Sequence, residues 1–270
     1  MAPTARDPWR GPRASYRVRM LGEVEVEGPR GTYAPAAARP GALLAMLAIR
    51  CGQTVTADEL IDALWATPGA AAHKRLHVNV LRLRRALATV EPDSDPAAFV
   101  RTRPRGYALD IDPESIDAVC FERDLSRGRA ELEAGDPARA SDTLRTALAT
   151  FRGGALADYA YETFAQAEIQ RLDELQADAF ELWAEAELAL GRHRSVVGEL
   201  ERLVTAYPLR ERPRELLMVA LYRCSRQSDA LAAYHQARRA LVDGLGIEPG
   251  RRLQGLQQAI LEQSLALQAA

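Results

Sequence analysis

Lysine is almost missing from this chain: Lys74 is the one lysine among 35 basic residues, and the rest are arginine. That usage fits a GC-rich genome better than a functional need. Cysteine is scarce as well. Cys51, Cys120 and Cys224 lie far apart, with no CxxC pair and no histidine at metal-ligand spacing. A disulfide framework and a zinc site are therefore not expected, and three isolated thiols suit a reducing cytosol. Long apolar runs are absent: no stretch approaches the ~20 residues that span a bilayer. The leading MAPTARDPWRGPRAS has no apolar segment of the secretory kind. The chain reads as cytoplasmic, without a membrane partner. No GxxxxGK phosphate loop occurs, and the four histidines are scattered, away from any Ser/His/Asp grouping. No catalytic residue, metal or cofactor is expected, and the chain is not read as an enzyme.

Its 270 residues suffice for about two domains. The formal net charge of −2 argues by itself against a nucleic-acid binder, but charge is unevenly placed. Residues 1–112 carry 16 basic against 12 acidic side chains, and the remainder 19 against 25. A mildly basic front and an acidic rear suggest different partners.

Residues 1–14, rich in Pro and Arg, are expected to be a disordered leader. Tyr16–Leu21 and Glu23–Glu27 alternate with period two and predict two short antiparallel strands, closed by Gly28-Pro29. Pro40–Cys51 predicts a helix. Thr56-Ala57-Asp58-Glu59 has the form of a capping box and opens a second, with Leu60, Ile61, Leu64 and Trp65 on its apolar face. Thr67-Pro68-Gly69 breaks the chain before a third helix over Ala71–Leu87. Glu91–Pro96 reads as a loop. Phe99-Val100 and Tyr107-Ala108-Leu109 then bracket an arginine-tipped turn and predict a β-hairpin.

In the third helix Leu76, Val80, Leu83 and Leu87 recur at helical spacing and form one apolar face. Lys74, Val78 and Arg85 point the opposite way, flanked by Arg75 and Arg82 on one side and Arg84 on the other. No acidic residue interrupts the stretch. Eight basic residues fall within 71–107 against three acidic ones, all in the intervening loop. A basic helix and a basic hairpin tip together predict a winged helix-turn-helix whose third helix enters a major groove. Its hairpin would reach a minor groove.

From Ile116 onward the pattern is helical and weakly repetitive. Gly135, Gly191 and Ser225 each precede a helix, and Ala140, Val196 and Ala230 stand five residues on. Leu144, Leu200 and Tyr234 follow nine residues on, and Ala147, Leu203 and Ala237 twelve. The second spacing between units, 34 residues, is the tetratricopeptide period. The fold class expected is mainly α: a winged helix-turn-helix (α+β) over 15–112, then an all-α tetratricopeptide-like repeat domain over 117–266.

Both halves together resemble the Streptomyces antibiotic regulatory protein family. The resemblance is carried by TADELIDALW (56–65), LHVNVLRLRRAL (76–87) and RPRGYALDI (103–111). In the rear half it is carried by 121–158 and, most specifically, by 188–250, which is similar to the bacterial transcriptional activation domain. The resemblance implies an OmpR-type winged helix-turn-helix and an activation domain that recruits RNA polymerase holoenzyme. It also implies binding to direct repeats of double-stranded DNA in promoters of secondary-metabolite (antibiotic) clusters. It places Asn79, Arg82 and Arg84 at DNA-contacting positions and Arg103 where an arginine enters the minor groove. Leu81 stands where some relatives carry a further Arg.

Within that frame Arg82 is the expected reader of a guanine edge, and Asn79 an adenine or phosphate contact. Lys74, Arg75, Arg84, Arg85 and Arg105 are expected to neutralise phosphates. His73 and His77 read as partly buried helix residues, Trp65 and Trp183 as core aromatics. The winged helix is expected to fold apart from the rear half, which would hold neighbouring protomers together on tandem sites. The rival readings are a protein-binding scaffold built on the helical repeats and a repressor using the same winged helix.

Overall fold

A computed structural model describes residues 16–35, 38–93 and 95–264; the expected leader at 1–14 lies outside them. The chain forms two compact units, one of residues up to 122 with 149–174, the other of 123–148 with 175 onward.

The first unit opens with β1 (Arg17–Arg19), β2 (Glu25–Gly28) and β3 (Gly31–Tyr33), an antiparallel sheet in that order. The sequence suggested two strands. The third exists because Gly28-Pro29 turns the chain back, pairing Gly28 with Gly31. A Cβ on Gly28 would come within 2.7 Å of the Val90 carbonyl oxygen, which also accepts from the Arg30 amide at 3.0 Å. Met20 and Leu21 leave the strand because their amides donate to the Asp117 carboxylate, at 2.8 and 3.1 Å. That acceptor stands almost a hundred residues away.

Three helices follow: α1 (Arg39–Ile49), α2 (Ala57–Leu64) and α3 (Ala72–Val90), with β4 (Val55–Thr56) before α2. The capping box forms as its spacing predicts: the Glu59 amide donates to Thr56 Oγ1 at 3.2 Å, and the Thr56 amide to Glu59 Oε2 at 2.9 Å. Where a loop and strand were expected, a short helix α4 (Pro96–Phe99) intervenes, opened by Asp95 accepting from the Ala97 amide. The hairpin is β5 (Val100–Arg103) and β6 (Gly106–Leu109), and β4 completes a sheet ordered β4-β6-β5. Gly106 lies so close to Val55 that a Cβ there would sit 2.0 Å from its carbonyl oxygen. The core is Leu43, Leu44, Leu47, Leu60, Leu76 and Leu83, all fully buried, with Phe99 edge-on to Tyr16 at 4.4 Å.

The segment after Leu148 returns to this unit. The amides of Arg152, Leu156 and Ala157 donate to the carbonyls of Leu21, Met20 and Gly22, and Asp158 accepts from the Val24 amide. A cut after residue 112 would thus remove Asp117 and Asp158, acceptors for backbone amides at 20–24.

The second unit is helical. It holds residues of α5 (Asp117–Glu133) and α7 (Thr163–Ala189) together with α6 (Pro137–Leu148), α8 (His193–Ala206), α9 (Glu211–Arg223), α10 (Gln227–Leu245) and α11 (Arg251–Leu261). The repeat read from the sequence is visible in the burial. Ala140, Val196 and Ala230 are fully buried, as are Leu144 and Leu200 with at most a trace of surface, and Tyr234 nearly so. Small residues let helices meet closely: a Cβ on Gly128 of α5 would lie 2.6 Å from Leu144 of α6. The repeat is also visible in the backbone. Gly135, Gly191 and Ser225 all adopt positive φ, 77°, 75° and 62°. In each, the next residue's amide bonds five residues back, from Asp136, Arg192 and Arg226 to Glu131, Glu187 and Leu221. This is the same helix-ending Schellman turn used three times. Glu187, buried beside the second turn, accepts from Ser141, Ser195 and Arg192.

Ser225 takes a conformation that costs a residue with a Cβ about 1 kcal/mol, whereas glycine adopts it freely. Ser225→Gly is expected to raise the denaturation free energy of the full chain by about that amount, and Gly191→Ala to lower it similarly. Chemical denaturation checks both; a destabilised Ser225→Gly would mean that the hydroxyl outweighs the strain. A pH titration tests the capping box. Hydrogen bonds from Thr56, and then the Arg50 guanidinium, hold the Glu59 carboxyl at about 2. Its contribution should be complete above the ordinary carboxylate range and vanish as pH falls towards 2. Glu59→Gln should flatten that part of the acid limb.

Candidate nucleic-acid interface

The rotation of α3 about its axis is set by Leu76, Val80, Leu83 and Leu87, each buried to within 1% of its surface. At about 100° per residue, that stripe turns Lys74, Val78, Leu81 and Arg85 outward, with Arg82 beside them. All five are exposed. Among the described residues Lys74, Arg82 and Arg85 make no ion pair, and α3 contains no acidic side chain. The helix begins without a side-chain cap, at Ala71.

The other expected contacts divide differently. Asn79 is buried at 7% exposure, and its Nδ2 donates to the Arg75 carbonyl at 2.8 Å. The amide that the resemblance assigns to DNA contact is here engaged by the backbone of its own helix. Arg84 reaches across to the hairpin: its Nε donates to the Val100 carbonyl at 2.9 Å and its Nη2 to Thr102 Oγ1 at 2.9 Å. This guanidinium ties α3 to β5 rather than standing free. Arg75 lies over the Trp65 ring at 5.1 Å. His73 and His77 are exposed rather than partly buried; His73 approaches Asp58 at 3.5 Å.

In the hairpin, Pro104 and Arg105 form the turn between β5 and β6. The Arg105 carbonyl accepts from the Ala57 amide at the start of α2, which pins the tip. Its side chain is exposed and, among the described residues, without an ion-pair partner. Arg103 is half-buried and lies 3.6 Å from Asp110, which also pairs with Arg101 at 2.8 Å. Tyr107, in the central strand β6 and paired with Val55 and Thr102, is buried. Of the cations expected to touch DNA, Lys74, Arg82, Arg85 and Arg105 have no ion-pair partner among the described residues, whereas Arg75, Arg84 and Arg103 are in contact with the protein.

Sequence reading missed Arg39. It stands exposed at the start of α1 with its guanidinium 5.7 Å from the Trp65 ring, opposite in the chain order from Arg75 but on the same aromatic. Neither periodicity nor motif marks it, because the shared indole is brought to it only by folding. Trp183 is half-buried against the core of the second unit, where its Nε1 has no hydrogen-bond partner among the described residues. Among those residues no group of His, Cys, Asp and Glu is placed to hold a metal ion, and no helix is long and apolar enough to cross a membrane.

Arg84 and Arg82 separate structure from surface. Arg84→Ala should cost about 1–3 kcal/mol, because it removes charge-assisted bonds to a partly buried carbonyl, and should speed amide exchange in β5. Arg82→Ala should stay within about 0.5 kcal/mol of the parent. Equal stability of the two variants would remove Arg84 as the tether.

The family models agree with this architecture. Residues 35–109 match "Transcriptional regulatory protein, C terminal", and residues 116–261 match "Bacterial transcriptional activator domain". Regulatory protein DnrI of Streptomyces peucetius is 36% identical over 91% of this chain and 92% of its own length. Transcriptional regulator RedD of Streptomyces coelicolor is 36% identical over 93% of this chain and 71% of its own. The solved structure of Mycobacterium tuberculosis EmbR, in complex with a low-affinity phosphopeptide, superposes with a TM-score of 0.85 at 34% identity. That match covers 92% of this chain and 65% of the EmbR chain. The winged helix-turn-helix and the helical repeats are therefore those of a transcriptional regulator, and the chain belongs to the Streptomyces antibiotic regulatory protein family, with its bacterial transcriptional activator domain.

Proposed function

We propose that this chain is a sequence-specific activator of transcription. In this reading it binds direct repeats of double-stranded DNA at promoters of a secondary-metabolite, antibiotic-type gene cluster. It recruits RNA polymerase holoenzyme through its helical repeats, and copies associate with one another on adjacent repeats. The observation that carries the DNA-binding part is the outward face of α3, where exposed Lys74, Arg82 and Arg85 have no ion-pair partner among the described residues. Cations left unpaired beside a rigid helix suit a polyanion whose phosphates they can neutralise.

The geometry supports the following division of roles. Arg82, on the flank of the outward face, reads a guanine edge in the major groove. Lys74, Arg85 and Arg105 contact phosphates and add affinity without sequence information. Arg75, held over Trp65, is a phosphate contact of restricted reach, and Arg103 reaches the minor groove only by leaving Asp110. Arg84 and Asn79 act through position: one fixes the wing, the other closes the turn of α3 around Arg75.

The test uses the full chain and a duplex carrying two adjacent repeats, located by footprinting in the neighbourhood of its own gene. Arg85→Ala should weaken specific and random DNA alike and reduce the slope of log K against log salt by about 0.9. Arg82→Ala should cost roughly 1–3 kcal/mol and relax preference at one base position per repeat. In run-off transcription with RNA polymerase holoenzyme, the parent chain should raise transcript yield in proportion to occupancy. Full occupancy without a rise in transcript would reject activation and leave DNA binding intact.

A further inference from the structure

The outward face of α3 is not uniformly cationic. Its centre line runs Lys74, Val78, Leu81, Arg85, and the two apolar members are 38% and 36% exposed. Steps of four, three and four residues place all four in one row opposite the buried stripe. Val78 and Leu81 each leave more than a third of their surface to water, and covering it with an apolar partner would be favourable. Valine is also a poorer helix former than the Lys, Arg or Glu that commonly occupy such positions.

What covers this line must satisfy two conditions together. It must be anionic where Lys74, Arg82 and Arg85 stand, since α3 has no acidic residue to pair them. It must also offer small apolar projections between those charges. The major groove of duplex DNA meets both: phosphates edge it, and on its floor the 5-methyl group of thymine is the apolar feature of the base edges. We infer that Val78 and Leu81 read thymine methyl groups, so that sequence preference rests on methyl contacts as well as on Arg82. The inference deepens the DNA-binding reading and depends on it.

The spacing sets the register. A helix rises about 1.5 Å per residue, so Val78 and Leu81 stand about 4.5 Å apart along α3, against about 3.4 Å per base-pair step. The two methyls lie on neighbouring base pairs. A 5-methylcytosine carries its methyl at the same edge position as thymine, so it substitutes in part for one.

The test enriches a random duplex pool on the full chain and remakes the best-bound sequence with each thymine in turn replaced by deoxyuridine, which lacks only the methyl. One or two neighbouring positions should each lose about fourfold in affinity, the worth of one buried methyl-sized group. Val78→Ala and Leu81→Ala, both at exposed positions, should each bind the thymine and uracil forms equally at one of those positions. Placing 5-methylcytosine there should recover affinity relative to cytosine. A selected site without thymines at neighbouring positions, or one indifferent to uracil throughout, overturns the inference. If such a site is still weakened by Arg82→Ala and Arg85→Ala, DNA binding through α3 stands without methyl reading. A pool that fails to enrich, or binding untouched by those arginine variants, overturns the DNA-binding reading and the inference with it.

Discussion

The angular position of α3 decides what the first unit offers to solvent. Leu76, Val80, Leu83 and Leu87 are each removed almost wholly from water, and burial of each is worth roughly 1.5–3 kcal/mol. Turning the helix by one residue, about 100°, would expose that stripe and bury arginines in its place, at a cost comparable with the whole stability of most domains. The outward row is thus fixed by the inward one. Which side chains of α3 face outward follows from that constraint, whereas which of its cations are engaged depends also on what packs beside the helix.

The same constraint explains how much of the site was legible in the sequence. The stripe, the opposite cationic row and the capping box at Thr56 are local periodicities, and local spacing survives into the fold. Asn79 belongs to the same helix but lies nearer the buried stripe than the outward row, and its burial was readable from the helical angle alone. The family resemblance drew attention to it instead. Arg84 is different. Its position on the flank was visible, but its bonds to Val100 and Thr102 depend on where β5 packs, and no spacing along the chain encodes that.

Contacts between distant residues account for the rest. Met20 and Leu21 look like strand residues until Asp117 claims their amides, and the segment 152–157 then claims the carbonyls of Met20, Leu21 and Gly22. A buried backbone group must find a partner, and here the partners come from beyond the winged helix. Burial pushes the Asp117 carboxyl above its ordinary range, against the opposing pull of hydrogen bonds from Met20 and Leu21. In the rear unit the reverse holds. Ser225 aligned with Gly135 and Gly191 by offset alone, and the shared positive φ shows why that position ends a helix in each repeat.

The tether at Arg84 has a further consequence for recognition. In the proposed reading, a wing held to α3 by a guanidinium, and pinned at its tip by the Ala57 amide, would meet a duplex with its geometry already set. Less ordering entropy is then lost on binding. The apolar and cationic parts of the outward face also answer differently to salt. Phosphate contacts release counterions and weaken steeply as ionic strength rises. Burial of Val78 or Leu81 against an apolar group releases none. An interface that combines the two loses sequence-independent affinity faster than it loses the apolar share of its discrimination. Under the proposed reading, the ratio between cognate and random DNA rests on Arg82 together with the uncharged side chains, while Lys74, Arg85 and Arg105 set affinity for DNA of any sequence.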